Sequence, residues 1–205
     1  MAPLPGECKC AIQPRWRRRN PGRNGTVRFR LQCGWRTQSS IAGVAAVPGT
    51  RDSTMRIALY EPDIPQNAGT ILRLCACFGI EAHIIEPSGF PTTDRAFRRA
   101  GMDYLDAVAI VRHRSWADFA AWRDGAGGRL LLFTTGASVS YLDFLYREDD
   151  ILLFGRESAG VPAAVHDTAD ARLRIPLRTG MRSLNVAVAA AMAAGEALRQ
   201  TGGMQ

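Results

Sequence analysis

A chain of 205 residues with 46% hydrophobic content is long enough for one well-buried core with an appendage. It holds no apolar run of 18 residues, which excludes a helical membrane span, and no apolar h-region follows Met1, so a cytoplasmic location is expected. The net charge of +7 is unevenly spread: residues 1–54 carry ten Lys and Arg against Glu7 and Asp52, while residues 55–205 carry 16 Arg, no Lys and 17 acids. A global basic field over the main body is thereby excluded, and any nucleic-acid site there is a local arginine patch.

Residues 1–54 contain RWRRR at 15–19, frequent Pro and Gly, and no sustained period. They are expected to be a basic, disordered extension, either an RNA-touching or targeting arm or the product of a start codon placed ahead of Met55. Periodic sequence begins at Met55. MRIALYE (55–61) predicts a buried strand, PDIPQNAG (62–69) a turn, and TILRLCACFG (70–79) a helix closed by Gly79. AHIIEP (82–87) predicts a second strand, Pro91–Gly101 a short helix, and AVAIVRH (107–113) a third strand. Ser115 caps a helix running through Arg123, with Asp118 three residues on. Strands follow at 129–135, 150–155 and 171–177, with an irregular or helical piece over Ser140–Leu145, and Ser183 caps a last Ala-rich helix reaching Gln200. Continuous apolar strands separated by helices imply an α/β fold with a mostly parallel sheet covered by helices on both sides.

Three strand-end turns carry the candidate chemistry: residues 132–135, 155–160 and 175–183. Open parallel sheets bind ligands at such turns. None of them is a GxGxxG or a GxxxxGK[ST], so a Rossmann dinucleotide site and a P-loop are not expected. The 155–162 loop, closed by Gly160 and Pro162, is short enough for its backbone to meet a ligand edge. Glu157 inside it can pin backbone amides or face a cation, or stand solvated. Arg73 can reach a phosphate or hydroxyl, or lie on a helix surface. Asn67 and Asn185 can serve as ligand contacts, caps or loop staples. Cys75 and Cys77 are expected to be small buried hydrophobes. The five cysteines and the dispersed His83, His113 and His166 show no metal spacing, and no metal, histidine base or histidine ligand is expected.

Together these residues are more specific than singly. YEPDIPQNAGTILRLCA (60–76), LLFGRESAGVP (152–162) and IPLRTGMRSLNVAVAAA (175–191) appear in order, with IIEPSGF (84–90) and RRAGMDY (98–104) between them. From Met55 onward the chain resembles the small tRNA ribose 2'-O-methyltransferases of the knotted SPOUT superfamily. That resemblance divides the chain into the extension 1–54 and a SPOUT domain 55–205. It implies a deep C-terminal trefoil knot holding S-adenosyl-L-methionine, a homodimer, and an RNA site spanning two subunits. Cofactor contacts carried over are Phe133, Thr134, Gly155, Ile175, Leu177, Met181, Ser183 and Asn185. The implied reaction is 2'-O-methylation of the wobble nucleotide 34, a cytidine or modified uridine, in the anticodon stem-loop of tRNA, leucine tRNAs in particular. Arg73 is the expected catalytic group, electrostatic rather than basic because its pKa is so high, with Asn67 and Glu157 holding loop and substrate. Arg98, Arg99, Arg156 and Arg182 are expected phosphate contacts. Arg156 stands where many relatives have proline, and Gly180 and Met181 replace a more polar pair. A ribose methyltransferase for another tRNA or rRNA position, or a non-catalytic RNA-binding dimer, are the competing readings.

Overall fold

The apolar runs assemble into one seven-stranded sheet in which every neighbouring pair is parallel. A computed structural model describes residues 54–93 and 105–203. In chain order these form β1 (Arg56–Tyr60), α1 (Pro65–Phe78), β2 (Glu81–Ile85), a 3-10 turn (Leu105–Ala107), β3 (Ile110–His113), α2 (Trp116–Ala126), β4 (Leu130–Phe133), β5 (Val139–Ser140), β6 (Ile151–Phe154), α3 (Ala163–Asp167), β7 (Ala171–Arg174) and α4 (Val186–Thr201). The spatial order is β3-β2-β1-β6-β4-β7-β5. Two later strands are thus set between earlier ones: β6 lies between β1 and β4, and β7 between β4 and β5. Because all strands run one way, the loops after β1, β4, β6 and β7 share one edge of the sheet. The expected extension over residues 1–53, most of the helix expected over Pro91–Gly101, and Arg98 and Arg99 lie outside the described residues.

Side chains alternate between the two faces, as the period of a strand requires. Ile57, Leu59, Ala82, Ile84, Leu131, Leu152, Phe154 and Leu173 meet α1 and α4 on one face. Ala58, Tyr60, Ile85, Leu130, Leu132, Ile151 and Leu153 meet Phe119 of α2 and Val165 of α3 on the other. Both faces being covered explains why the strands read as unbroken apolar runs. Each fully buried Leu or Ile contributes about 1.5–3 kcal/mol of transfer free energy. The Ala190, Ala193, Ala194 and Ala197 stripe of α4 is fully buried, and its small side chains let α4 lie close to α1 and β6.

Several boundaries differ from expectation. Helix α1 begins at Pro65, not Thr70: proline supplies the preset φ of a first helical position, and Gly69 weakens the helix by about 1 kcal/mol without ending it. Gly79, at φ 65°, closes it as expected. Cys75 is buried but Cys77 is exposed, since residues two apart in a helix point to nearly opposite sides. The segment after β4 forms a two-residue edge strand, β5, and the Ser140–Leu145 piece takes the irregular of its two expected forms. The irregular stretch beyond it is tied to α4 by Gln200, whose Oε1 accepts from the Tyr146 N–H (3.1 Å) and whose Nε2 donates to the Phe144 carbonyl (3.1 Å). The last helix is capped by Asn185 rather than Ser183: Asn185 Oδ1 accepts from the N–H groups of Ala187 (2.8 Å) and Val188 (3.3 Å). Ser115 caps α2 as expected, accepting from Asp118 N–H at 3.1 Å.

His83 and His113 are not dispersed. They are neighbours on β2 and β3, with His83 Nδ1 2.9 Å from His113 Nε2 and His83 Nε2 2.9 Å from Glu81 Oε1. A carboxylate only accepts, so His83 carries its proton on Nε2 and accepts at Nδ1 from His113. Phe119 and Trp122 pack on the pair. Burial, only partly offset by Glu81, lowers the pKa of His83 from 6.5 to about 4, and burial lowers that of His113 as well. The unfolded chain therefore binds more protons than the folded one between pH 6.5 and about 4. The stabilisation is complete above that window and is lost as pH falls through it. Urea titrations should show stability dropping across it by on the order of 3 kcal/mol. A His83→Phe chain should lose that part of the slope. A profile identical in the two proteins would refute the assignment.

Candidate functional site

The turn after β6 is closed by the backbone. Arg156 and Gly160 exchange N–H···O bonds of 3.0 and 2.8 Å, folding the five residues between Gly155 and Val161 into a tight loop. A Cβ at Gly155 would stand 2.6 Å from the Gly160 carbonyl carbon and 2.9 Å from its Cα, so only glycine lets the two strands of this loop meet. Gly155→Ala is expected to open the loop at a cost of about 1–3 kcal/mol. The check is a lowered thermal midpoint together with weakened S-adenosylmethionine binding by calorimetry. Wild-type values for both would contradict the close-approach argument.

Glu157, inside this loop, reaches across to the loop that leads from β1 into α1. Its Oε2 accepts from the Asp63 N–H at 2.9 Å, and its Oε1 accepts from Asn67 Nδ2 at 3.0 Å. Asn67 Oδ1 in turn accepts from Asn185 Nδ2 at 2.9 Å, and Asn185 Oδ1 caps α4. Each amide donates through its nitrogen and accepts through its oxygen, so the network fixes both side-chain orientations. One continuous relay therefore joins residues 67, 157 and 185, one from each of the three matched sequence signatures. It binds the loop after β1 to the turns after β6 and β7. Glu157 performs the amide-pinning role open to it from sequence, and both asparagines are staples.

A second clamp lies beside the first. The Arg156 guanidinium donates to Asp63 Oδ1 (3.0 and 3.2 Å) and to Glu61 Oε2 (3.0 Å). The hydroxyl and N–H of Ser158 donate to Asp63 Oδ2. Ser158's hydroxyl bond, followed by Arg156, holds the Asp63 carboxyl below its ordinary pKa. The Asp63 bond, with Glu61 adding less, raises that of Arg156. Glu61 sits in the left-handed region at φ 43°, a conformation costing a non-glycine residue on the order of 1 kcal/mol. Arg156, an expected phosphate contact, is therefore committed to two carboxylates of its own chain. Glu61 and Asp63 lie within the first sequence signature, but no local signal ties them to residue 156.

Between these turns opens a cavity of about 540 Å³, within the ~300–1,000 Å³ range of small-molecule sites. The structure brings Asn67, Phe133, Thr134, Gly155, Glu157, Ile175, Leu177, Ser183 and Asn185 to its wall. Phe133 stacks on Phe154, centroids 5.0 Å apart, making an apolar floor. Two expected site residues are not on the wall. Met181 lies at the tip of the third turn, 63% exposed, and Arg73 is exposed on α1, about one and two-thirds turns beyond Asn67. The wall also includes Thr135, the last residue of the expected 132–135 turn, and His166, whose isolation in the sequence offered no reason to place it at a site. Among the described residues no group of three or more His, Cys, Asp or Glu is arranged to hold a metal ion.

Comparison with known proteins points the same way. Residues 54–195 match the model of the SpoU rRNA Methylase family. The chain is 68% identical over 148 residues to a tRNA (cytidine(34)-2'-O)-methyltransferase of Beijerinckia indica, covering 72% of this chain and 92% of that protein. Among solved structures, one concerned with the 2-OH methylation of cytidine or uridine 34 on tRNA superposes with a TM-score of 0.65 at 40% identity, covering 71% of this chain and 89% of that one. An AdoMet-bound rRNA methyltransferase from Sinorhizobium meliloti superposes with a TM-score of 0.65 at 29% identity, covering 73% of this chain and 57% of that one.

Proposed function

This chain belongs to the SpoU rRNA Methylase family, and we propose that it methylates the ribose 2'-hydroxyl of nucleotide 34 of tRNA, using S-adenosylmethionine. The observation that carries the reading is the Glu157–Asn67–Asn185 relay, which draws all three signature turns around one cavity. The wall suits the donor: Leu177, Ile175 and Phe133 offer apolar surface to a purine, with Thr134 beside them and Gly155, lacking a side chain, leaving room for close approach. Ser183 adds a hydroxyl. Bound there, the donor supplies a methyl group on a positively charged sulfur. The fold's part is to hold that methyl in line with the ribose oxygen and to keep water away, since alignment dominates the rate of such a displacement. Arg73 stabilises the developing alkoxide electrostatically. Glu157 and Asn67 keep the loop before α1 in position.

The finer features follow the same reading. Residues 55–205 are the catalytic domain, and 1–54 a basic extension outside it. The setting of β6 and β7 between strands laid down earlier supports a threaded, knotted C-terminal segment, against the ordinary rule for chain connections. The enzyme works as a homodimer in the cytoplasm. Val188 and Met192, exposed four residues apart on α4, with Leu184 exposed just before its cap, supply the apolar stripe for its interface. Leucine tRNAs carrying cytidine or modified uridine at position 34 are the substrates.

Purified protein, labelled S-adenosylmethionine and bulk tRNA test this directly. Label should appear in leucine tRNAs, and nuclease mapping should place it on the 2'-oxygen of nucleotide 34. Label at another nucleotide, or none from folded protein that binds tRNA, would overturn the proposal.

A further inference from the structure

The arginines of the described residues differ in how they are engaged. Arg56, Arg123, Arg129, Arg156 and Arg199 each pair with a carboxylate, and Arg172 is held by the His166 carbonyl. Arg174, Arg178 and Arg182 are all exposed, and no hydrogen bond or ion pair engages their guanidinium groups. Between Ala171 and Asn185 there are four arginines and no acid; the rest of residues 55–205 holds 12 arginines against 17 acids. The segment is thus a basic stretch within an otherwise acidic domain.

That segment is also the third wall of the cavity. Burial alternates along it: Ile175 and Leu177 are half-buried and line the cavity, while Arg174, Pro176 and Arg178 are exposed. At extended spacing Arg174 and Arg178 stand roughly 13 Å apart. The chain then turns back. Met181 N–H donates to the Arg178 carbonyl at 3.0 Å across a turn whose third residue, Gly180, has φ 89°, and Arg182 follows beside Ser183 on the cavity wall. Three cations spread along a rim do not converge on one small anion. A single carboxylate engages one guanidinium fork, whereas a polyanionic backbone takes successive ones.

We propose that Arg174, Arg178 and Arg182 form a phosphate track that seats the RNA backbone along the rim of the cavity. This rests on the reading of the chain as a tRNA methyltransferase, and assigns the surface by which the substrate is held. The track supplies affinity and register rather than base choice, as phosphate contacts do. It also explains how a domain with more acids than arginines binds a nucleic acid.

The test is fluorescence anisotropy of labelled tRNA across a salt series, with methyl transfer measured separately. Arg178→Ala should lower the slope of log K against log salt by about 0.7–0.9, and weaken binding roughly fivefold at 0.15 M salt. The triple alanine variant should lower the slope by about 2–3. Arg178→Lys, which keeps the charge, should retain most of it. Calorimetric affinity for S-adenosylmethionine and the thermal midpoint should not move. KM for tRNA should rise with kcat at saturating tRNA unchanged. Arg147→Ala is the control: an exposed arginine without a side-chain partner at the opposite edge of the sheet, whose loss should leave the slope alone. An unchanged slope in the triple variant, or an equal loss from Arg147→Ala, overturns the track. Either can occur while wild-type protein still methylates nucleotide 34, so the track can fail without the enzyme. Conversely, tRNA binding with the expected slope changes but no methyl transfer would sustain the track and sink the activity.

Discussion

Glu157→Ala should destabilise the domain by about 2–4 kcal/mol and cut methyl transfer at least a hundredfold. Glu157 accepts two hydrogen bonds as a carboxylate, from the Asp63 N–H and from Asn67 Nδ2, and bonds to a charged group contribute about 1.5–3 kcal/mol each. The groups are only part-buried, so water replaces some of what is lost and the total falls below a simple sum. The rate effect is larger than the stability effect because the relay sets the relative position of two cavity walls. Without Glu157, Asn67 keeps its bond to Asn185 but loses its tie to the 155–160 loop, which the Arg156–Asp63–Ser158 clamp alone then holds to the loop before α1. A displacement near 1 Å at a reacting centre costs on the order of 10²-fold in rate. Glu157→Gln should fall between: the amide keeps one of the two acceptor roles and turns a donor toward a donor in the other. Because Asn67 is shared, Glu157→Ala and Asn67→Ala should be strongly non-additive in a double-mutant cycle on unfolding free energy. Strict additivity, or a Glu157→Ala protein with wild-type midpoint and rate, would show that the relay is incidental.

The sequence made the layers legible but not the joints. Strand identity followed from apolar runs such as Ile151–Phe154, whose two faces are both covered, and the helix stops from glycines in left-handed geometry such as Gly79. Starts were harder. Pro65 reads locally as a turn residue, and only its place at the first helical position makes it a helix opener. Ser183 and Asn185 are equally good caps by residue type; what selects Asn185 is its second bond to Asn67, 118 residues away. The His83–His113 contact was hidden for the same reason, since it depends on the register of β2 against β3. At the site, residues of the second and third turns were found because each sits at a strand end. The Asp63–Arg156–Ser158 clamp was not, because its members come from two loops and carry no spacing signal.

The positions of Arg73 and the relay together say where catalysis is shared. Arg73 shares α1 with Asn67, but an offset of six residues turns it well away from the cavity that Asn67 lines. In the proposed homodimer, an arginine acting on a ribose oxygen from there would serve the cavity of the second subunit. With a two-fold interface, each site then takes Arg73 from one chain and Glu157 from the other. Arg73→Ala should accordingly abolish transfer while leaving S-adenosylmethionine affinity near wild type, since the cavity wall is intact. The sharper expectation concerns mixtures. Arg73→Ala and Glu157→Ala chains, each inactive alone, are unfolded and refolded together in equal amounts. Half the dimers are then mixed, and each mixed dimer rebuilds one complete site from the two unaltered residues, restoring about a quarter of wild-type activity. If both residues served the same chain's cavity, no mixed dimer would contain a complete site and the mixture would stay inactive. A silent mixture with verified subunit exchange would therefore return Arg73 to its own subunit. Undiminished transfer by Arg73→Ala alone would remove it from the reaction.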